Sequence, residues 1–179
     1  INNVLDFGKL EQGRKQYRIT RVAMDQLLAE ILDTHSLRIK EQGLELITET
    51  APLDYTLNTD RDAVAQVILN ILDNALKYAS DGGFVRFSLD REDRTVRLKI
   101  SDDGPGISTA DRDHVFTKFY RVDDTLTARQ PGSGLGLTIA RQMMRDLNGE
   151  ISIDTQVKRG CCFIIQMRDC DKSRGDKNG

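Results

Sequence analysis

The chain lacks an excess of charge of either sign: its 179 residues carry 26 Lys and Arg against 28 Asp and Glu, a formal net charge of −2. A protein that grips nucleic acid through its phosphates normally shows a strong basic surplus, so no nucleic-acid partner is expected. Long apolar runs are also missing. Nothing approaches the ~18 residues needed to cross a bilayer, and the first residues lack the basic-then-apolar layout of a secretory signal, so no direct membrane contact is expected and a cytoplasmic setting is. Cysteine is scarce: the 3 residues are Cys161, Cys162 and Cys170, without C-x-x-C spacing. An odd, unspaced set favours reduced thiols over a disulfide or zinc scaffold. The 2 histidines, His35 and His114, are too few for a three-histidine metal site.

What is present suffices for one core. At 39% hydrophobic residues and a length near the ~150 of a single domain, the chain reads as one domain with a short appendage. It opens on Ile1, not Met, and Ile1, Val4 and Leu5 fit a helical stripe that stops near Gly8, the expected end of a helix begun in a longer parent. Thr20 is placed to cap a helix whose apolar positions Val22, Leu27, Leu28, Ile31, Leu32, His35 and Ile39 keep the 3.6 period, with Gly43 ending it. LELITET and DYTLNT alternate as short strands around Pro52. A second helix starts at Asp60 with the stripe Ala63, Val64, Val67, Ile68, Ile71, Leu72 and Ala75.

FVRFSLD and TVRLKIS, joined by the charged turn REDR, read as a hairpin over Phe84 to Asp102. From Gly104 to Gly136 periodic apolar residues are few, a stretch well beyond the ~12 to 15 residues of an ordinary loop and of the kind that is usually functional. A third helix is expected over Leu135 to Leu147, closed by Asn148-Gly149, then a last hairpin of ISIDT and CCFIIQM. Residues 169–179 read as a disordered tail. Helices separated by hairpins point to an α+β fold, a mostly antiparallel sheet with helices on one face.

Four elements carry chemistry. On the second helix Asn70 and Asn74 are four apart and share a face, and Lys77 and Tyr78 extend it. This is either a solvated helix edge or a site for a metal-bound triphosphate, since an amide oxygen is a hard, neutral ligand suited to Mg²⁺ and a lysine neutralises phosphate. Next, DDGPGI (Asp102 to Ile107) ends a strand. A turn explains it, and so does a carboxylate placed to accept from an exocyclic amine while Gly104 and Gly106 let backbone approach a planar ligand. Third, GSGLGL (Gly132 to Leu137) opens a helix, where backbone amides and the helix N-terminus favour an anion. It follows no strand of a βαβ unit and lacks a P-loop ending, which excludes both familiar nucleotide motifs. Between these lies FTKFYR, in which Phe116, Phe119 and Tyr120 read as packing that anchors a lid, leaving Lys118 and Arg121 to reach phosphate.

In order and spacing these elements resemble the N, G1, F and G2 boxes of the ATP-binding catalytic domain of sensor histidine kinases, within the wider family of gyrase, heat-shock chaperone and mismatch-repair ATPases. The resemblance covers roughly residues 20 to 168. FGKLEQG, at 7 to 13, looks like the end of the dimerisation hairpin of such kinases, which implies a stub over 1–14, a catalytic domain over 15–168 and a tail over 169–179. It further implies the Bergerat fold, a two-layer α/β sandwich of a mixed, mostly antiparallel sheet and three main helices with a long ATP lid.

By the same resemblance Asn74 would coordinate Mg²⁺, Asn70 support the phosphate side, Lys77 and Lys118 contact phosphate and Tyr78 pack along adenine. Asp102 would recognise the adenine amine, Gly104, Gly106 and Ile107 would shape the base site, and Arg121 would act on the γ-phosphate. Gly132, Gly134, Leu135, Gly136 and Leu137 would offer backbone amides. ATP and Mg²⁺ are thus the implied ligands. The implied partners are the dimerisation hairpin and a response regulator, in a homodimeric parent whose anchoring in the inner membrane stays open. Hydrolytic members resemble one another in a glutamate at position 70; Asn70 therefore implies transfer to a protein histidine with slow hydrolysis. Two departures stand out. Neither His35 nor His114 is followed by the acidic residue of a phosphoacceptor, so the chain should not autophosphorylate alone, and Cys161-Cys162 replaces a Ser/Thr pair, with Cys162 expected at the hydroxyl's place near adenine. A degenerate binding or scaffolding module and a superfamily ATPase or serine kinase are the competing functions.

Overall fold

The structure is a computed structural model, described for residues 7–8, 10–79, 83–121, 133–157 and 159–170. Strands β1 (Thr20–Ala23), β2 (Glu45–Thr50), β3 (Thr56–Thr59), β4 (Phe84–Glu92), β5 (Thr95–Asp102), β6 (Glu150–Ile153) and β7 (Cys161–Arg168) alternate with helices α1 (Met24–Glu41), α2 (Arg61–Tyr78) and α3 (Gly136–Asp146). The main sheet has the order β2-β4-β5-β7-β6, and β1 pairs with β3 in a separate ribbon. Among the described strands β2 and β4 run parallel, and the other pairings are antiparallel. The α/β sandwich expected from the motifs is the observed fold, with a mixed, mostly antiparallel sheet and three helices.

Period-2 alternation sets what each strand buries. On β5 the buried positions are Val96, Leu98, Ile100 and Asp102, and on β7 Cys161, Phe163, Ile165 and Met167 lie opposite them. The same periodicity that carries three aliphatics into the core therefore carries a carboxylate in at the strand's end. Helix α2 buries Val64, Val67, Ile68, Ile71 and Leu72 at helical spacing, and Asp60 caps it by accepting from the Ala63 N–H at 2.8 Å. Each such fully buried side chain contributes roughly 1.5–3 kcal/mol. Phe87 is wholly buried in the centre of β4, and its truncation to alanine would cost about 3–5 kcal/mol.

Two expectations are corrected. Thr20 does not cap α1: residues Thr20–Ala23 form β1, paired with β3 from Thr20 opposite Thr59 to Ala23 opposite Thr56, and the helix starts at Met24 without a side-chain cap. β-branched Thr20 and Val22 suit the strand, and Val22 reaches the core from there, which mimicked a helical position in the sequence. Nor does order end at 168. Asp169 accepts from the Asn58 N–H at 2.6 Å, the Cys170 N–H donates to the Asn58 carbonyl at 2.8 Å, and the Cys170 thiol lies 2.9 Å from the Leu147 carbonyl, clipping the chain to the free edge of β3. Phe7, Gly8, Leu10 and Glu11 are helical, so helix continues past Gly8, where the apolar stripe stops. The described residues contain no helix long and apolar enough to cross a membrane.

Candidate functional site

One edge of α2 forms the wall of a cleft of about 500 Å³. Asn70, Asn74, Lys77 and Tyr78 all line it, so the four polar residues read from their spacing do share one surface. Asn70 is buried, and its Nδ2 donates to the Gly136 carbonyl at 3.1 Å, tying the middle of α2 to the first turn of α3. Asp73 also lines the cleft, with a carboxylate oxygen 2.7 Å from Arg38 of α1.

The far wall is the end of β5. Asp102 is 6% exposed, and its Oδ1 accepts from the Gly104 N–H at 2.9 Å. Burial raises its pKa to about 6, opposed by backbone N–H donors from Gly104 and Cys161 and reinforced by the neighbouring charge of Asp103. Gly104 does not line the cleft but makes the approach possible, because a Cβ there would be driven into the Tyr78 carbonyl. The G1 turn thus lies directly against the end of α2, bringing Asp102 to the same cleft as Lys77. Cys161, opposite Asp102, faces the cleft, whereas Cys162 points to the other side of the sheet beside Ser101. The expectation for Cys162 is corrected by strand parity. Burial and the Asp102 charge push the Cys161 thiol up to about 12, so it stays protonated.

The third side is the lid root. Phe116 is buried, its ring edge-on to Phe163 at 6.3 Å and beneath the Arg141 guanidinium at 4.8 Å, and its carbonyl accepts from the Thr138 hydroxyl at 3.0 Å. Ser108, Asp111 and Tyr120 line the cleft with Arg121. Both oxygens of Asp111 are taken, one by the Ser108 hydroxyl and one by the Tyr120 hydroxyl, each at 2.5 Å, and these bonds hold its carboxyl below the usual carboxylate range. Gly134 has φ +69°, and a Cβ on it would come within 2.9 Å of the Phe119 backbone, so glycine is what lets the G2 loop pass under the F box.

Of the expected residues, Gly106, Ile107, Arg121, Gly134, Gly136 and Leu137 also line the cleft. Leu135 is buried beneath it, and Gly132 lies outside the described residues. Lys118 is corrected: its ammonium pairs with Glu11 at 2.7 Å and sits 5.2 Å from the centroid of the Phe7 ring, away from the cleft. Phe119, expected to pack, is 67% exposed, its ring edge-on to that of Phe7 with centroids 6.2 Å apart. Sequence reasoning missed Ser108, Asp111, Asp73 and Cys161. The alternation that places Asp102 inward could have identified Cys161 once the β5–β7 register was known.

Residues 59–170 match the family model described as histidine kinase-, DNA gyrase B- and HSP90-like ATPase. The sensor histidine kinase WalK of Bacillus subtilis (strain 168) is 34% identical over 93% of this chain, which spans 28% of that protein. Among solved structures, full-length ShkA in complex with AMPPNP superposes with a TM-score of 0.81 at 26% identity, covering 93% of this chain and 34% of that one. Histidine kinase ThkA, crystallised with the response regulator TrrA, shares the fold with a TM-score of 0.76 at 20% identity, over 93% of this chain and 47% of that one.

Proposed function

Because the chain belongs to the histidine kinase-, DNA gyrase B- and HSP90-like ATPase family, we propose that its cleft binds ATP with Mg²⁺ and presents the γ-phosphate for transfer to a histidine on the dimerisation hairpin of a two-component sensor kinase. The observation that carries this is the pairing in one cleft of a buried carboxylate with a polar helix edge. Asp102, held by two backbone donors, suits the amine of adenine and rejects an oxo group at that position. Lys77, Arg121 and the first turn of α3 suit the phosphates, supplying positive charge and backbone amides.

The donor set also fits the metal. Among the described residues no three His, Cys, Asp or Glu side chains converge on a metal site, so an ion here must be carried largely by phosphate oxygens and water. Asn74 would hold it, with Asn70 braced one turn earlier. When bound, the ion supplies charge neutralisation on the triphosphate. The chain's own residues do the rest: Lys77 and Arg121 fix the phosphate end, Asp102 fixes the base, and the two separated anchor points orient the nucleotide for in-line transfer.

Slow hydrolysis follows from the same side chains. Asn70 has no basic oxygen to take a proton from water, and the carboxylates of the cleft are committed: Asp73 to Arg38, Asp111 to Ser108 and Tyr120, Asp102 to two backbone amides. The parent's hairpin supplies the phosphoacceptor, and a response regulator would then take the phosphoryl group. Calorimetric titration of ATP with and without Mg²⁺ tests the binding, and addition of a separate hairpin with assay for acid-labile phosphate tests the transfer. Sustained turnover of ~1 per second or more by the chain alone would place it with the hydrolytic members, and absence of binding by the folded chain would favour a scaffolding module.

A further inference from the structure

We propose that Tyr120, held by Asp111, is a positioning residue that aims Arg121 into the cleft and so makes the site selective for a nucleotide with a third phosphate. The inference deepens the nucleotide-site reading above and rests on it.

Between the G1 turn and the F box the chain has no regular structure. It proceeds by consecutive turns: the Asp111 N–H bonds the Ser108 carbonyl at 3.1 Å, the Val115 N–H the Asp111 carbonyl at 2.9 Å, and the Tyr120 N–H the Thr117 carbonyl at 3.2 Å. Turns alone do not fix the direction of the residue that follows them. Side chains do so here, because the Tyr120 hydroxyl donates to one oxygen of Asp111 while the Ser108 hydroxyl donates to the other. The His114 ring lies against the Tyr120 ring with centroids 5.4 Å apart, restraining it from a second side. A phenol is needed for this, since phenylalanine would fill the same space but break the bond between residue 120 and Asp111.

The backbone immediately before adds the second argument. Phe119 has φ +60°, a left-handed conformation unfavourable for an aromatic residue, and it leaves that side chain 67% exposed. The reversal turns Phe119 outward and delivers Tyr120 and Arg121 to the cleft wall. An unfavourable backbone persists only where its surroundings hold it, and the Tyr120–Asp111 bond is a charge-assisted restraint on the very next residue. Arg121 is exposed and follows directly, so the bond sets the origin from which its long side chain reaches. The clamp should therefore act on the phosphate farthest from the base and not on the base itself.

The test titrates ATP and ADP, each with Mg²⁺, into the wild-type chain, Tyr120→Phe, Asp111→Ala, Arg121→Ala and Tyr120→Phe/Arg121→Ala, with thermal unfolding of each. Tyr120→Phe and Asp111→Ala are expected to weaken ATP about five- to tenfold while ADP changes less than about twofold. The double variant should be no weaker on ATP than Arg121→Ala, because the clamp acts through that arginine. Equal weakening of ATP and ADP, additive losses, or a Tyr120→Phe chain that binds ATP like wild type would overturn the proposal while leaving the nucleotide site intact. A wild-type chain that binds neither nucleotide would instead remove the reading on which the proposal stands, and the proposal with it.

Discussion

The two ends of the cleft are built by different means. At the base end a single carboxylate is brought in by strand alternation and held by backbone amides, so its position follows from sheet register alone. At the lid end side chains hold side chains: Ser108 and Tyr120 on Asp111, and Thr138 with Arg141 on Phe116. The base end is desolvated, which pushes its acid up; the lid end is open to water and hydrogen-bonded, which holds its acid down. Affinity and phosphate geometry can therefore be altered separately, since the groups that hold Asp102 are not the groups that hold Asp111.

The sharpest way to break the comparison is at Asp102. Replacing it with alanine should lower ATP affinity on the order of 100-fold, because a buried charge-assisted contact is lost where water does not readily substitute; calorimetry at neutral pH checks this. The same residue governs a pH effect. A folded-state pKa near 6, above the ordinary 3.8, means that the folded chain holds a proton that the unfolded chain releases, so this contribution favours folding in acid and is lost as pH rises from about 4 through 6. Denaturant titrations should therefore show wild type losing roughly 3 kcal/mol relative to Asp102→Asn across that window. No such difference is expected for Asp111→Asn over the same range, since its carboxyl shifts the other way.

At the opposite end, Asn74→Ala should weaken ATP about tenfold in the presence of Mg²⁺ and little in its absence, seen by repeating the titration with a chelator. The smallest effect belongs to Lys118→Ala. Its ion pair with Glu11 is about half exposed on both sides, so stability should fall by no more than ~0.5 kcal/mol, and ATP affinity should not change. A large loss of ATP binding there would return Lys118 to the phosphate site that the motif implied.

Much of this was legible from residue order. Periodicity located α2, α3 and the central hairpins, and the spacing of Asn70, Asn74, Lys77 and Tyr78 placed them on one edge because an α-helix fixes which residues are neighbours. Loop residues resisted the same treatment. Asp111 and Ser108 sit in turns with no period, and only the return of the chain at Tyr120 makes them part of the cleft. Lys118 misled for a related reason: it stands only three positions before Arg121, and the left-handed backbone at Phe119 sends the two to opposite sides.

Residue spacing alone carried the family, the α/β sandwich and the polar edge of α2, because each depends on local order that regular structure converts directly into position. The tertiary structure decided which cysteine faces the cleft, where Lys118 points, that Thr20 belongs to a strand, and that Tyr120 and Arg121 share the wall with Asp111. Those outcomes depend on register between distant strands and on the direction in which a loop returns, and both are set by contacts between residues far apart in the chain.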